Sequence, residues 1–349
     1  MRLKLILVSL TLWFASLLKA VDSITFRNVI KGHLAQVETF AISDDGKTLV
    51  SGGWDNAVRI YQIDSMGNWE YVRDFKRHFG AITTLTVSPD NKYFVSGSKD
   101  NTFNLVELAT GNIVFTGRDQ NRPVTDVFFT NDGKYLFTSS EDGFVFIYKL
   151  DDMLFAVSKP IKVSIGRPVY DIALSMRKGK IFVCAKGNEL LEFNTKGKVV
   201  RQYAAHTAQV NSMDISPDKS MIATSGDDKR VFLWNSKTGD TIISLTGHDW
   251  KVNHVSFSPD GRFLLSSGNK GKVVVWSMDS MKMVHEFTPI GNNARKALFT
   301  SNMKELIVAT LQKGPLYGLS VYNSAFAYLP KEEKVDKKKE KTNRAKKGK

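Results

Sequence analysis

Seven short segments along the chain share one pattern, in which apolar and polar residues alternate and a Ser or Thr closes the run. They are VETFAIS (37–43), ITTLTVS (82–88), VTDVFFT (124–130), VYDIALS (169–175), VNSMDIS (210–216), VNHVSFS (252–258) and ARKALFT (294–300), and their starts are 45, 42, 45, 41, 42 and 42 residues apart. Alternation with period two predicts strands with two distinct faces. Five of them run into turns, SDDGK, SPDNK, TNDGK, SPDKS and SPDGR, whose Pro, Asp, Asn and Gly supply the backbone angles of a reversal.

A second and a third strand follow each turn. SGGWDNAVRIY (51–61), SGSKDNTFNLV (96–106), TSSEDGFVFIY (138–148), TSGDDKRVFLW (224–234) and SSGNKGKVVVW (266–276) align without gaps, and weaker copies stand at 183–193 and 312–322. A fourth strand completes the first six units at YVRDF, NIVFTG, PIKVSI, KVVRQYA, TIISLT and MVHEFT. The seventh unit has none, but ITFRNVI (24–30) stands unassigned at the start of the chain and leads into Gly32-His33 as a fourth strand should. Repeats of 40–45 residues with four strands each predict propeller blades. The expected fold is therefore all-β, a seven-bladed β-propeller over residues 24–330, closed by an N-terminal strand that completes the last blade. Sharing that blade removes the free strand edges of an open array.

The aligned residues resemble the WD-repeat family over about 300 residues, from Ile24 to Leu329. Each copy is weak alone, but the set is specific. The resemblance implies a structural hydrogen-bonded network of His, Ser or Thr, Asp and Trp in each blade. In blade one the matching residues are His33, Ser51, Asp55 and, in the Trp position, Tyr61. In blade two they are His78, Ser96 and Asp100, with Val106 in place of Trp. Blade three has Thr138, Asp142 and Tyr148 without a His. Blade five is complete with His206, Thr224, Asp228 and Trp234. Blade six has His248, Ser266 and Trp276, with Lys270 in the Asp position, and blades four and seven have almost none of the set. The resemblance also implies an upper face, built from the loops leading into each first strand and the turns before each third strand. Residues expected to project there are Trp54, Lys99, Glu141, Lys186, Asp227 and Asn269, with Phe79 and Trp250 in the leading loops. Aromatic anchors among charges of both signs fit a protein-binding surface.

The two ends read differently from the repeats. Residues 1–23 place an apolar run, Leu5–Leu18, between Arg2 and Lys4 on one side and Lys19 on the other. The run is shorter than a spanning helix needs and has the shape of a secretory signal peptide. An uncleaved short membrane anchor and a buried core helix are the other readings. Residues 331–349 hold ten Lys or Arg against four acids and almost nothing apolar, which predicts a disordered basic tail. That tail carries nearly half of the formal net charge of +14, so the body is only mildly basic. Contact with anionic membrane or RNA through the tail is one reading of it. Its last residues, KKGK, resemble a dilysine retrieval signal through Lys346 and Lys347, which acts only on a cytosolic tail. The leader and tail thus point to the endoplasmic reticulum and the early secretory pathway but to opposite sides of its membrane.

Chemistry is scarce. The one cysteine, Cys184, excludes an intramolecular disulfide and a Cys-based metal site. There is no phosphate-binding loop, nucleophile elbow, zinc-protease motif or dinucleotide fingerprint. Acid pairs such as Asp44-Asp45 recur at blade period and read as turn chemistry, and no surplus of acids points to a catalytic channel. The expectation is a non-enzymatic scaffold without cofactor or metal, a monomeric propeller within a complex that presents a face to a protein or peptide. The alternatives are a nucleic-acid- or ribosome-associated protein using the tail, and a propeller hydrolase.

Overall fold

The computed structural model describes residues 24–150, 159–175, 180–194, 196, 198–311 and 317–326. The leader, residues 1–23, and the basic tail, residues 331–349, lie outside the described residues, as does the start of the last third-strand copy, 312–316. The described residues form seven four-stranded sheets, all antiparallel, and in six of them every strand pairs only with its neighbours in sequence. Six blades are continuous: residues 37–75, 82–117, 124–164, 169–204, 210–246 and 252–287. Blade seven combines Asn292–Phe299, Glu305–Leu311 and Gly318–Ser324 with Ile24–Lys31 from the start of the chain. The expected N-terminal closure is present, with Ile24 opposite Ser324 and Lys31 opposite Gly318.

Blades form because their middle strands are apolar on both faces and need cover on both. Segments such as VFLW (231–234) are wholly buried. Seven hydrophobic clusters result, one in each seam between adjacent blades. Val50, Val58, Ile60 and Phe75 of blade one meet Ile82, Leu85, Phe94 and Val106 of blade two. Ile30, Leu319 and Val321 of blade seven meet Val37, Phe40, Leu49 and Tyr61 of blade one. Full burial of one such side chain stabilises by about 1.5–3 kcal/mol, so the seams carry the fold.

The innermost strands repeat a second feature. In all seven, the register slips near the first residues: between Val37 and Thr39, Ile82 and Thr84, Val124 and Asp126, Val169 and Asp171, Val210 and Ser212, Val252 and His254, and around Ala294. A bulge there re-aims side chains and bends the strand. Its effect on the central channel is described below.

The outer strand of blade one, Trp69–Phe75, starts two residues before the expected YVRDF. The extension has a cause: Trp69 is buried in the seam between blades seven and one, and its Nε1 donates to Glu305 Oε2 at 3.2 Å. The other Glu305 oxygen is bound by Arg27, at a bulge in the N-terminal strand, and Arg27 Nη2 reaches Asn68 Oδ1 at 2.9 Å. One buried carboxylate thereby ties the first strand, the last blade and the first blade together. Replacing Glu305 with Ala leaves a partly buried guanidinium without its carboxylate and an indole N–H unpaired, and is expected to cost about 2–3 kcal/mol. Urea unfolding of Glu305→Ala beside an exposed control such as Glu70→Ala checks this; equal midpoints would show that the clasp contributes nothing.

Candidate functional site

In blades one, two and five the upper face is held by a His–Ser/Thr–Asp network. In blade five, His206 Nδ1 lies 2.8 Å from Asp228 Oδ2, His206 Nε2 lies 2.9 Å from Thr224 Oγ1, and the Trp234 indole donates to the same hydroxyl at 2.8 Å. With the proton on Nδ1 the chain of donors is consistent: indole N–H to hydroxyl oxygen, hydroxyl to Nε2, and Nδ1–H to carboxylate. Blades one and two repeat it with His33, Ser51 and Asp55, and with His78, Ser96 and Asp100. Burial would raise the Asp55, Asp100 and Asp228 pKa values, but hydrogen bonds from the histidines and neighbouring donors outweigh it and hold all three below the usual carboxylate range. Tyr61, in the Trp position of blade one, reaches the Lys31 carbonyl at 3.4 Å, and Arg59 binds Asp55 at 2.6 Å. In blade three Gln120 replaces the His and donates to Thr138 at 2.6 Å, while Tyr148 donates to Asp119 at 2.8 Å. Blade four is built differently, with Tyr203 donating to the buried Glu192 at 3.1 Å.

Each network also fixes the loop above it. Asp55, Asp100, Asp142 and Asp228 accept the backbone N–H of Leu34, Phe79, Asn121 and Thr207 at 2.9–3.0 Å. The six turn residues expected on the upper face are all placed by one backbone bond. Trp54, Lys99, Glu141, Lys186, Asp227 and Asn269 donate to the carbonyls of Gln36, Ala81, Pro123, Pro168, Gln209 and Lys251 at 2.7–3.1 Å. They stand in one ring, but the aromatic side chains do not gather into one cluster. Trp54 and Phe79 share the sector of blades one and two, where the Lys99 ammonium sits 3.9 Å above the Trp54 ring. Trp54 Nε1 donates to Glu38 at 3.0 Å. Trp250 stands on blade six, beyond blade seven, with Lys270 and Lys229 at 3.8 and 6.0 Å from its ring. Neither Trp54 nor Trp250 is packed in a seam; each is 48% exposed, and Phe79 is 94% exposed.

The sequence profile of the WD domain, G-beta repeat family matches residues 24–62, 69–106, 111–149, 197–235 and 239–277, more than half of the chain. The chain belongs to the WD-repeat family. Each matched repeat joins the outer strand of one blade to the three inner strands of the next, and the first joins Ile24–Lys31 to blade one. Blades four and seven, where the network residues are missing, are the two whose inner strands go unmatched. The chain is also 33% identical over 88 residues to Periodic tryptophan protein 2 of Arabidopsis thaliana. That alignment covers 24% of this chain and 10% of that protein. WD-repeat propellers are typically protein-interaction scaffolds and generally non-enzymatic.

Within this WD-repeat ring, the channel corrects one expectation. The bulges bring the third residues of the inner strands together as Thr39, Thr84, Asp126, Asp171, Ser212, His254 and Lys296, and these line, with Asp214, a cavity of about 490 Å³. Three acids therefore do meet in the channel. All three have a structural role. Asp126, Asp171 and Asp214 accept the backbone N–H of Ile172, Met213 and Phe257, each on the following blade, at 3.2, 2.8 and 2.7 Å. Burial raises the pKa of Asp126, and burial and then the neighbouring Asp126 charge raise that of Asp171. The channel-facing residues before them, Glu38, Thr83, Thr125, Tyr170, Asn211, Asn253 and Arg295, are absent from the expected site. They connect the channel to the upper ring, as in Glu38–Trp54, Asn211–Asp227 at 2.8 Å and Asn253–Asn269 at 3.0 Å. Their sequence signal is that each is the second residue of a repeated strand. No cluster of three metal-ligating side chains occurs among the described residues.

Burial pushes the Asp214 carboxyl up to about 6. At about 1.4 kcal/mol per pH unit, ionising it inside the fold costs about 3 kcal/mol. Because the folded value lies above the unfolded one, this contribution to stability is present below about pH 4 and lost as pH rises through about 6. Asp214→Asn cannot ionise, so its stability relative to the wild type is expected to climb between pH 4 and 7 and then level off. Urea midpoints of both proteins across that range test it, and a difference independent of pH would mean that Asp214 ionises as freely as in water.

Proposed function

We propose that the protein is a scaffold whose upper face binds a protein or peptide partner. The observation that supports this best is Phe79. Its side chain is 94% exposed, yet its backbone is held by the buried His78–Asp100 pair. Leu34, at the same position in blade one, is 76% exposed and tied to Asp55 in the same way. Together with Trp54 they form an apolar sector whose anchors are fixed before any partner arrives. Holding an anchor rigid lowers the entropy cost of binding, and aromatic anchors commonly contribute about 2 kcal/mol or more. Trp250 extends the surface on the other side of blade seven.

Alanine at Trp54, Phe79 and Trp250 together is expected to abolish recovery of the partner on affinity capture of tagged full-length protein. Met66→Ala, on a 78%-exposed turn elsewhere, is expected to leave recovery unchanged. Undiminished recovery with the triple variant would move the site off this face.

The proposed setting is the endoplasmic reticulum, with the propeller on the lumenal side. Support comes from the apolar run Leu5–Leu18, which has the form of a cleaved signal. Among the described residues, no helix is long and apolar enough to cross a membrane. A C-terminal tag is expected to resist protease in sealed microsomes, on a chain that has lost Met1. A digested tag on a chain retaining Met1 would instead place the propeller in the cytosol, with Lys346 and Lys347 available as a retrieval signal.

A further inference from the structure

Blade six departs from its neighbours at one turn. Where blades one, two, three and five carry the network Asp, it carries Lys270. His248 is left with Ser266 at 2.7 Å and, among the described residues, no carboxylate on Nδ1. Burial, then the charge of Lys272, lowers its pKa to about 4, so the imidazole is neutral. The turn itself has changed into a short 3₁₀ segment, Asn269–Gly271, and Lys270 adopts the left-handed region at φ 57°. A hydrogen bond from its N–H to Asn293 Oδ1 at 2.9 Å holds it there.

One blade away, Lys229 is also left-handed, at φ 69°, in the turn position where blades one, two and three have Asn56, Asn101 and Gly143. Lysine is disfavoured in that region relative to Asn or Gly. Two such lysines converge on one ring, with Lys270 Nζ 3.8 Å and Lys229 Nζ 6.0 Å from Trp250. A missing carboxylate tie and two left-handed lysines thus coincide at one exposed ring.

The charges around the ring are unequally committed. Lys272 is engaged by Glu286 at 2.8 Å and by Asp249 at 3.7 Å, and Asp227 accepts from Asn211. Lys229 and Lys270 have no carboxylate within ion-pair distance among the described residues, and Lys251 and Arg230 beside them are exposed. The ring face is already covered by ammonium groups, so a cationic ligand would be repelled. An anion would gain two charge-assisted bonds from the ammonium groups gathered at the indole. Asp227 and Asp249 interrupt the positive surface at short intervals, which suits a few carboxylates on a peptide and opposes a continuous phosphate backbone.

We propose that Trp250, Lys229 and Lys270 form a receptor for an acidic peptide segment of a partner protein. This rests on the upper-face reading and assigns the chemistry of its second sector. The test uses full-length protein and fluorescence anisotropy with three labelled probes of about ten units: a Glu-Gly repeat peptide, a Lys-Gly repeat peptide and an oligouridine RNA. The Glu-Gly peptide is expected to bind saturably, more tightly than the other two, and to lose about tenfold or more in affinity with Lys229→Asn/Lys270→Asn. Asparagine tolerates the left-handed turn, so this variant keeps the fold, and an unchanged thermal midpoint verifies that. Absent binding of the Glu-Gly peptide, binding that the variant leaves intact, or tighter binding of the RNA would each overturn the proposal. The two readings fail separately. Partner capture lost with Trp54→Ala/Phe79→Ala but kept with Lys229→Asn/Lys270→Asn leaves the upper face standing and removes the acidic receptor.

Discussion

A ring of blades has no stable partial form in which every seam is covered, so the pairing of Ile24–Lys31 with Gly318–Ser324 constrains everything else. Without that strand, blade seven would present an open edge, and Ile30 would be missing from the cluster between blades seven and one. The two seams flanking blade seven would then open to water. Phe26 packs edge-on against Tyr322 at 5.7 Å, and the Arg27–Glu305–Trp69 clasp secures the other side of the same joint. Closure also sets the angular positions of all other blades. The ring of six upper-face turns is regular because each blade meets its neighbours through a similar apolar seam.

Much of this architecture is legible in the sequence for a specific reason. Residues facing water at turns and residues buried on both sides of a middle strand obey the same rules in every blade, so their spacing survives divergence. The ITFRNVI segment finds its place by a count of strands, and the complete set in blade five supplies the pattern for blades one, two and six. Where the same burial problem has a different solution, the pattern fails. Blade four satisfies its interior with Glu192 and Tyr203, and blade three with Gln120 and Asp119, and neither is suggested by a His-Ser-Asp-Trp template.

The channel is hidden in the sequence for another reason. Strict alternation assigns successive residues to opposite faces, but a bulge near the start of every inner strand breaks the alternation where the channel begins. Asp126, Asp171, His254 and Lys296 lie far apart in sequence and stand at the same step of four different repeats. Only superposing the repeats brings them together. Once together, the acids bind backbone N–H groups of the next blade, so their concentration in the channel follows from how blades are joined and does not require a reaction.

The scaffold and the binding face are coupled through the network Asp residues, which act in two directions. One oxygen holds the buried imidazole, and the carboxylate also accepts the N–H that fixes the loop above, as Asp100 does for Phe79 and Asp55 for Leu34. Exposed anchors are therefore rigid in the blades where the network is intact. Blade six has lost that carboxylate, and its loop residue Asp249 has no such tie among the described residues. In exchange, its turn is free to adopt the left-handed form that lays Lys270 over Trp250. A carboxylate restored at position 270 would take up His248 and withdraw the ammonium group from the ring. The two states exclude each other at one residue, so stabilising the scaffold in blade six and charging its upper face are alternatives, and this sequence has taken the second.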